Sequence, residues 1–215
     1  MKTKKNLLFD LDGTLTDPKE GITKSIQYAL SFFDVHVEDL DSLCRFIGPP
    51  LAPAFREVYG FSEETAEAAL AKYRERFGTV GLFENELYSG IPEVLSALQK
   101  AGYRLFLATS KPTVYATQIL DHFGLSSYFE FVGGAEIGGP RIHKPDVIEY
   151  VLAENHLKRE ETVMIGDRKY DMEGGKGANL ATVGVLYGYG DREELTEYGA
   201  DVICETVEDL GTIFL

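Results

Sequence analysis

Apolar residues arrive in two rhythms along this chain. Asn6-Leu7-Leu8-Phe9 is a short apolar run cut off by Asp10 and by a turn at Gly13, which predicts a buried strand with Asp10 at its carboxyl end. From about 17 to 86 the period becomes helical. Ile22, Ile26, Ala29, Leu30 and Phe33 share one face, Ala66, Leu70, Tyr73 and Phe77 another behind an N-cap at Ser62, and Gly48-Pro49-Pro50 forces a break between them. From Tyr88 the rhythm changes to alternating strands and helices. Strands are expected at 103–108, 129–132, 162–165, 181–186 and 201–204, and helices at 90–101, 114–123, 146–155, 192–198 and 207–214.

Strands that alternate with helices imply an α/β fold: a Rossmann-like, mainly parallel sheet with helices on both faces. The helical block interrupts this series after the first strand. The expected organisation is a catalytic core of residues 1–16 and 87–215 with a small α-helical cap of 17–86 placed over the sheet edge.

Composition narrows the partners. The chain has 215 residues, 44% of them hydrophobic, enough for a real core. Lysine and arginine number 21 against 35 acidic residues, a formal charge of -14 that argues against a nucleic acid polymer. No apolar run approaches the ~20 residues that span a bilayer, so no membrane is expected. Met1-Lys2-Thr3-Lys4-Lys5 leads into only a short apolar run before Asp10, which argues against a signal peptide. Cys44 and Cys204 fit no metal spacing and read as reduced, buried thiols of a cytoplasmic protein.

The chemistry is concentrated where strands end. Side chains alternate along extended backbone, so Asp10 and Asp12 can face one reacting group. Two close anions resist joint ionisation, which suits a nucleophile beside a general acid/base, although a pair of turn or capping aspartates reads the same locally. Thr109 and Ser110 follow the next strand and can donate to phosphate oxygens, or merely cap a helix. Lys144 precedes Pro145 at a helix start, and Asp167 and Asp171 lie four residues apart where a turn into a helix could aim both at a hard cation.

Together these segments resemble the haloacid dehalogenase superfamily of aspartate-nucleophile phosphohydrolases. Asp10-Leu11-Asp12-Gly13-Thr14 is similar to its first motif, Thr109 to the second, Lys144 to the third and Gly166-Asp167-Arg168-Lys169-Tyr170-Asp171 to the fourth, in the family's order. The helical insertion, with Phe46-Ile47-Gly48-Pro49-Pro50-Leu51, resembles phosphoglycolate phosphatase-like members. The resemblance implies that Asp10 attacks phosphorus to give an aspartyl-phosphate and that Asp12 protonates the leaving oxygen and then activates water. It implies Mg²⁺ held by Asp10, Asp12 through its backbone carbonyl, and Asp167, with Asp171 as a further ligand or one shell out. Thr109, the Ser110 amide and Lys144 would bind the phosphoryl oxygens.

The function expected is a Mg²⁺-dependent phosphatase for a small phosphorylated metabolite, phosphoglycolate or a nucleoside 5'-monophosphate. A phosphomutase and a receiver-like phospho-accepting module are the alternatives. Ser110 stands where many such phosphatases have Asn, Arg168 reads as a solvated charge, and so do Lys24 and Arg45 in the helical block. The four histidines show no metal spacing.

Overall fold

The structure, a computed structural model, describes Met1 and residues 3–215; Lys2, part of the basic leading stretch, lies outside the described residues. The chain divides into two compact units, one formed by Met1–Asp17 with Leu87–Leu215 and the other by Pro18–Glu86. The crossings carry two short strands, and the elements run β1 (Asn6–Phe9), β2 (Thr16–Asp17), α1 (Lys19–Ser31), α2 (Leu51–Tyr59), α3 (Glu63–Arg76), β3 (Glu86–Leu87), α4 (Ile91–Lys100), β4 (Arg104–Pro112), α5 (Thr113–His122), β5 (Phe131–Ala135), α6 (Lys144–Glu154), β6 (Thr162–Gly166), α7 (Lys169–Gly177), β7 (Ala181–Val185), α8 (Arg192–Glu197), β8 (Val202–Cys204) and α9 (Val207–Phe214).

In the larger unit six parallel strands are ordered β5-β4-β1-β6-β7-β8, with helices around them. The apolar runs are continuous because both faces of such a sheet are covered. Leu8, Phe106 and Met164 pack with Val147, Ile148 and Val151 of α6 in one buried cluster. The order reverses at β1, which lies between β4 and β6, and the crevice outside the carboxyl ends at such a reversal is where open sheets bind ligands.

Register then sets the site. Phe9 is level with Leu107 on one side and Ile165 on the other, so Asp10, Ala108 and Gly166 stand at one height beyond them.

Two elements differ from expectation for reasons that lie outside local sequence. β5 sits at Phe131–Ala135 rather than 129–132, because Ser126–Tyr128 forms a 3₁₀ turn and Gly133 and Gly134 belong to the strand. A Cβ on Gly133 would stand 2.2 Å from Val151 Cγ2, so α6 approaches too closely for any other residue. β4 continues to Pro112 through an irregularity. Ala108 pairs with Gly133 and Pro112 with Ala135, so β4 spends four steps against two on β5.

The smaller unit is helical. Ser62 caps α3, its Oγ accepting from Thr65 N at 3.1 Å, and Gly60 ends α2 at φ 67°. Phe46 and Phe55 are buried in this unit, and half-buried Tyr59 and Phe61 pack against them. Lys24 pairs with Glu20 at 2.5 Å, and Arg45 donates to Ser42 O at 3.0 Å from an exposed position.

Among the described residues no helix is long and apolar enough to cross a membrane. Cys204 is buried as expected, whereas Cys44 is only half-buried. Burial, helped by the Asp209 charge, pushes the Cys204 thiol up to about 12. Since the thiolate is the nucleophile, iodoacetamide at pH 8 should leave Cys204 unmodified in native protein and alkylate it only in denaturant, as peptide mass mapping would show.

Candidate active site

Seven polar side chains converge at the carboxyl edge of β1, β4 and β6 although none is more than 9% exposed: Asp10, Asp12, Thr109, Lys111, Lys144, Asp167 and Asp171. Burying so many charges is tolerable only if they compensate one another. Lys144, in the first turn of α6 beside Pro145, places Nζ 2.7 Å from Asp10 Oδ1 and 2.7 Å from Asp171 Oδ1, and donates to Ala108 O at 3.0 Å. Burial alone would lower its pKa, but the Asp10 and Asp171 carboxylates outweigh burial and raise it. It is a permanent cation.

Lys111 supplies the second cation, with Nζ 2.9 Å from Asp12 Oδ2. Its backbone N donates to Thr109 Oγ1 at 3.2 Å, so the irregular stretch of β4 is folded around the threonine. Asp12 Oδ1 is buried and has no hydrogen-bond partner.

Asp167 is seated in a cradle that only glycines permit. Gly13 is at φ 80°, and a Cβ there would lie 2.1 Å from Asp167 Oδ2; one on Gly188 would lie 2.4 Å from Asp167 Cβ. Tyr189 N donates to Asp167 Oδ2 at 2.8 Å. Asp171 Oδ2 accepts from Arg168 N at 3.0 Å, so this residue caps α7 and faces Lys144 at once. The capping and the charged readings of Asp171 are therefore both realised.

Asp10, Asp167 and Asp171 each offer a carboxylate oxygen within 4.8 Å of the other two. The Asp12 side chain, turned to Lys111, is not in that group. No histidine joins the group among the described residues.

Four carboxylates here face two ammonium groups, an excess of two negative charges in a buried space. Burial raises the pKa of Asp12, with Lys111 offsetting part of the effect and Asp10 adding to it. Burial and then the Asp171 and Asp10 charges raise Asp167 well above the usual carboxylate range, and burial also raises Asp171 against the pull of Lys144. Three acids displaced upward mark a local deficit of positive charge. A divalent cation fits that deficit, and oxygen donors of this kind select a hard one.

Thr109 is buried at the sheet edge, and Ser110, half-buried beside it, has its amide in the same irregular stretch. Arg168 is not the solvated charge expected. Its side chain is 13% exposed, Nε lies 2.9 Å from Glu194 Oε1, and the same carboxylate oxygen accepts from Lys169 N at 2.8 Å, which ties α8 to the start of α7. Sequence reasoning did not single out Glu194, Lys111 or the Gly13/Gly188 cradle. The signal for Lys111 was its two-residue spacing from Thr109, which puts both on one side of an extended strand.

Comparison with known proteins places this architecture. A sequence model of the haloacid dehalogenase-like hydrolases matches residues 7–185, and the chain belongs to that family. A protein of Pseudomonas aeruginosa named 5'-nucleotidase is 46% identical over 202 residues, covering 92% of this chain and 91% of its own. The tyrosine-protein kinase PtkA of Mycobacterium tuberculosis is 37% identical over 206 residues, covering 95% of this chain and 70% of its own. Among solved structures, one described as a predicted phosphatase from Clostridium acetobutylicum superposes with a TM-score of 0.96 at 48% identity, covering 98% of this chain and 97% of that one.

Proposed function

We propose that this phosphoric monoester hydrolase cleaves small phosphorylated metabolites through an aspartyl-phosphate on Asp10, with Mg²⁺ as cofactor and a nucleoside 5'-monophosphate as the leading substrate. The observation that carries the reading is the division of labour among neighbouring carboxylates. Asp10 lies beside a permanent cation and two further acids, while Asp12 is turned to a separate lysine and keeps one oxygen without a partner. The substrate preference rests on the 46% identical relative named 5'-nucleotidase; a relative from Colwellia psychrerythraea named phosphoglycolate phosphatase is 29% identical.

In this reading Asp10 is the nucleophile, aligned by Lys144. Thr109 Oγ1, the Ser110 amide and Lys144 Nζ hold the phosphoryl oxygens. Asp12 gives a proton to the leaving oxygen and later takes one from the attacking water. Asp10, the Asp12 carbonyl and Asp167 would hold Mg²⁺, with Asp171 beside them, and the ion would neutralise charge on the phosphoryl group.

A panel of phosphate esters, scored by kcat/KM for phosphate release, tests the substrate. Nucleoside 5'-monophosphates should lead and phosphoglycolate should trail; the reverse order would move the assignment to the second ester. Sugar products that retain phosphate would instead indicate transfer between hydroxyls.

Metal binding has its own readout. At about 100 times its Kd, Mg²⁺ should stabilise the protein by about 2.7 kcal/mol, seen as a rise in Tm. The shift should vanish in Asp167→Asn, and a wild-type Tm indifferent to Mg²⁺ and to chelator would sink the cofactor assignment.

A further inference from the structure

Asp12 makes an asymmetric use of its two oxygens. Oδ2 is 2.9 Å from Lys111 Nζ, and the lysine side chain is itself buried, at 4% exposure. Oδ1 is buried with no hydrogen-bond partner. A buried carboxylate oxygen left bare is costly, and native structures retain such atoms chiefly where function needs them.

We propose that Lys111 is a positioning residue for the acid step: by engaging Asp12 Oδ2 it fixes the carboxyl rotamer and reserves Oδ1 as the atom that exchanges a proton with the leaving group. The inference rests on the reading of the site given above. Several features of the chain serve the same end. Lys111 is delivered by the irregular stretch of β4 between Ala108 and Pro112, where the strand gains two residues over β5, and its amide is anchored on Thr109 Oγ1 at 3.2 Å. Bulges of this kind re-aim side chains beside active sites. Gly134 completes the seat, because a Cβ there would fall 2.6 Å from Lys111 O.

An oxygen of Asp10 forms a bond to phosphorus while the ester P–O bond breaks. Its electron pair stays on the leaving oxygen, which takes the proton from Asp12 Oδ1. An ammonium donor on Oδ2 keeps the proton off that oxygen, so it is presented from a single atom. Without Lys111 the carboxyl group can rotate, and protonation of the leaving oxygen loses its geometry although Asp10, Lys144 and the acid trio are untouched.

This makes a prediction that depends on the leaving group. Alkoxide departure needs a proton and 2,4-dinitrophenolate departure does not, and kcat/KM reports only the steps through formation of the phosphoenzyme. In Lys111→Met, kcat/KM for an alkyl phosphate such as a nucleoside 5'-monophosphate should fall about 100-fold, within the usual worth of a positioned general acid. For 2,4-dinitrophenyl phosphate it should fall less than about 5-fold, since no general acid is needed there. The Asp12→Asn variant should show the same split, and adding Lys111→Met to it should change kcat/KM no further, because residues acting as one unit are not additive.

Equal losses on both esters, or additive losses in the double variant, would overturn the inference and assign Lys111 to binding or folding. If Lys111→Met is not folded by circular dichroism, Lys111→Gln, which keeps a donor at shorter reach, takes its place under the same two criteria. A wild-type enzyme inactive on every ester would defeat the underlying reading of the site rather than this step alone.

Discussion

Asp10→Asn leaves a folded protein whose kcat is lower by about 10⁴-fold or more, the scale on which loss of a covalent nucleophile is felt. That fall corresponds to about 5.5 kcal/mol of barrier. The substitution preserves volume at the end of β1, where Asp10 N donates to Ile165 O at 2.9 Å, so the backbone has no reason to move. What disappears is a carboxylate beside Lys144 Nζ, at 2.7 Å, and with it both the attacking oxygen and one arm of the acid trio. Lys144 retains Asp171 and the Ala108 carbonyl, so the cation stays compensated. The measurement is phosphate release from p-nitrophenyl phosphate, paired with intact-protein mass after rapid acid quench. Wild type should gain one phosphoryl group during turnover and the variant none; turnover that survives the substitution removes Asp10 from the nucleophile's place.

Lys144→Met should cost both stability and activity. The lysine is 4% exposed and links Asp10 on β1, Asp171 on α7 and Ala108 on β4 from the start of α6. Removing one partner of a buried ion pair strands the other charges, at a cost of about 3–5 kcal/mol. Two carboxylates are stranded here, and four acids would then face only Lys111. The space is built for an unbranched stem, since a Cβ on Gly174 of α7 would meet Lys144 Cγ at 3.1 Å, and methionine fills it without overpacking. Urea unfolding should show a lower midpoint with an unchanged slope, and kcat should fall by at least about 100-fold through loss of a phosphoryl-oxygen donor. A stability change below about 1 kcal/mol would mean that the carboxylates are compensated elsewhere. Mg²⁺ should recover part of the stability, because a divalent cation supplies charge where the ammonium has been lost.

Much of this was open to inspection in the chain itself. Apolar runs of four to five residues, each closed by Asp, Thr or Gly, located β1, β4 and β6, and the family-like order of Asp10, Thr109, Lys144 and Asp167 marked the ends that matter. Lys144 illustrates the limit. Pro145 revealed a helix start, but a lysine there is ordinarily solvated, and its contact with Asp10 arises only when α6 packs across β1 and β4. Arg168 went the other way for the same reason: its partner, Glu194, is 26 positions distant and belongs to α8.

Local sequence by itself determined the strand and helix rhythm, the helical interruption expected at 17–86, and the residue types available for phosphoryl chemistry, because periodicity, turn residues and charge are properties of short stretches. Only the tertiary structure decided which charges meet. The register of Phe9 with Leu107 and Ile165 brought three strand ends level, the two extra residues in β4 turned Lys111 onto Asp12, and Gly13 and Gly188 opened the seat for Asp167. Most of those relations join positions about a hundred or more apart in the chain. They follow from the order β5-β4-β1-β6-β7-β8 and the close packing it permits, which no window of sequence contains.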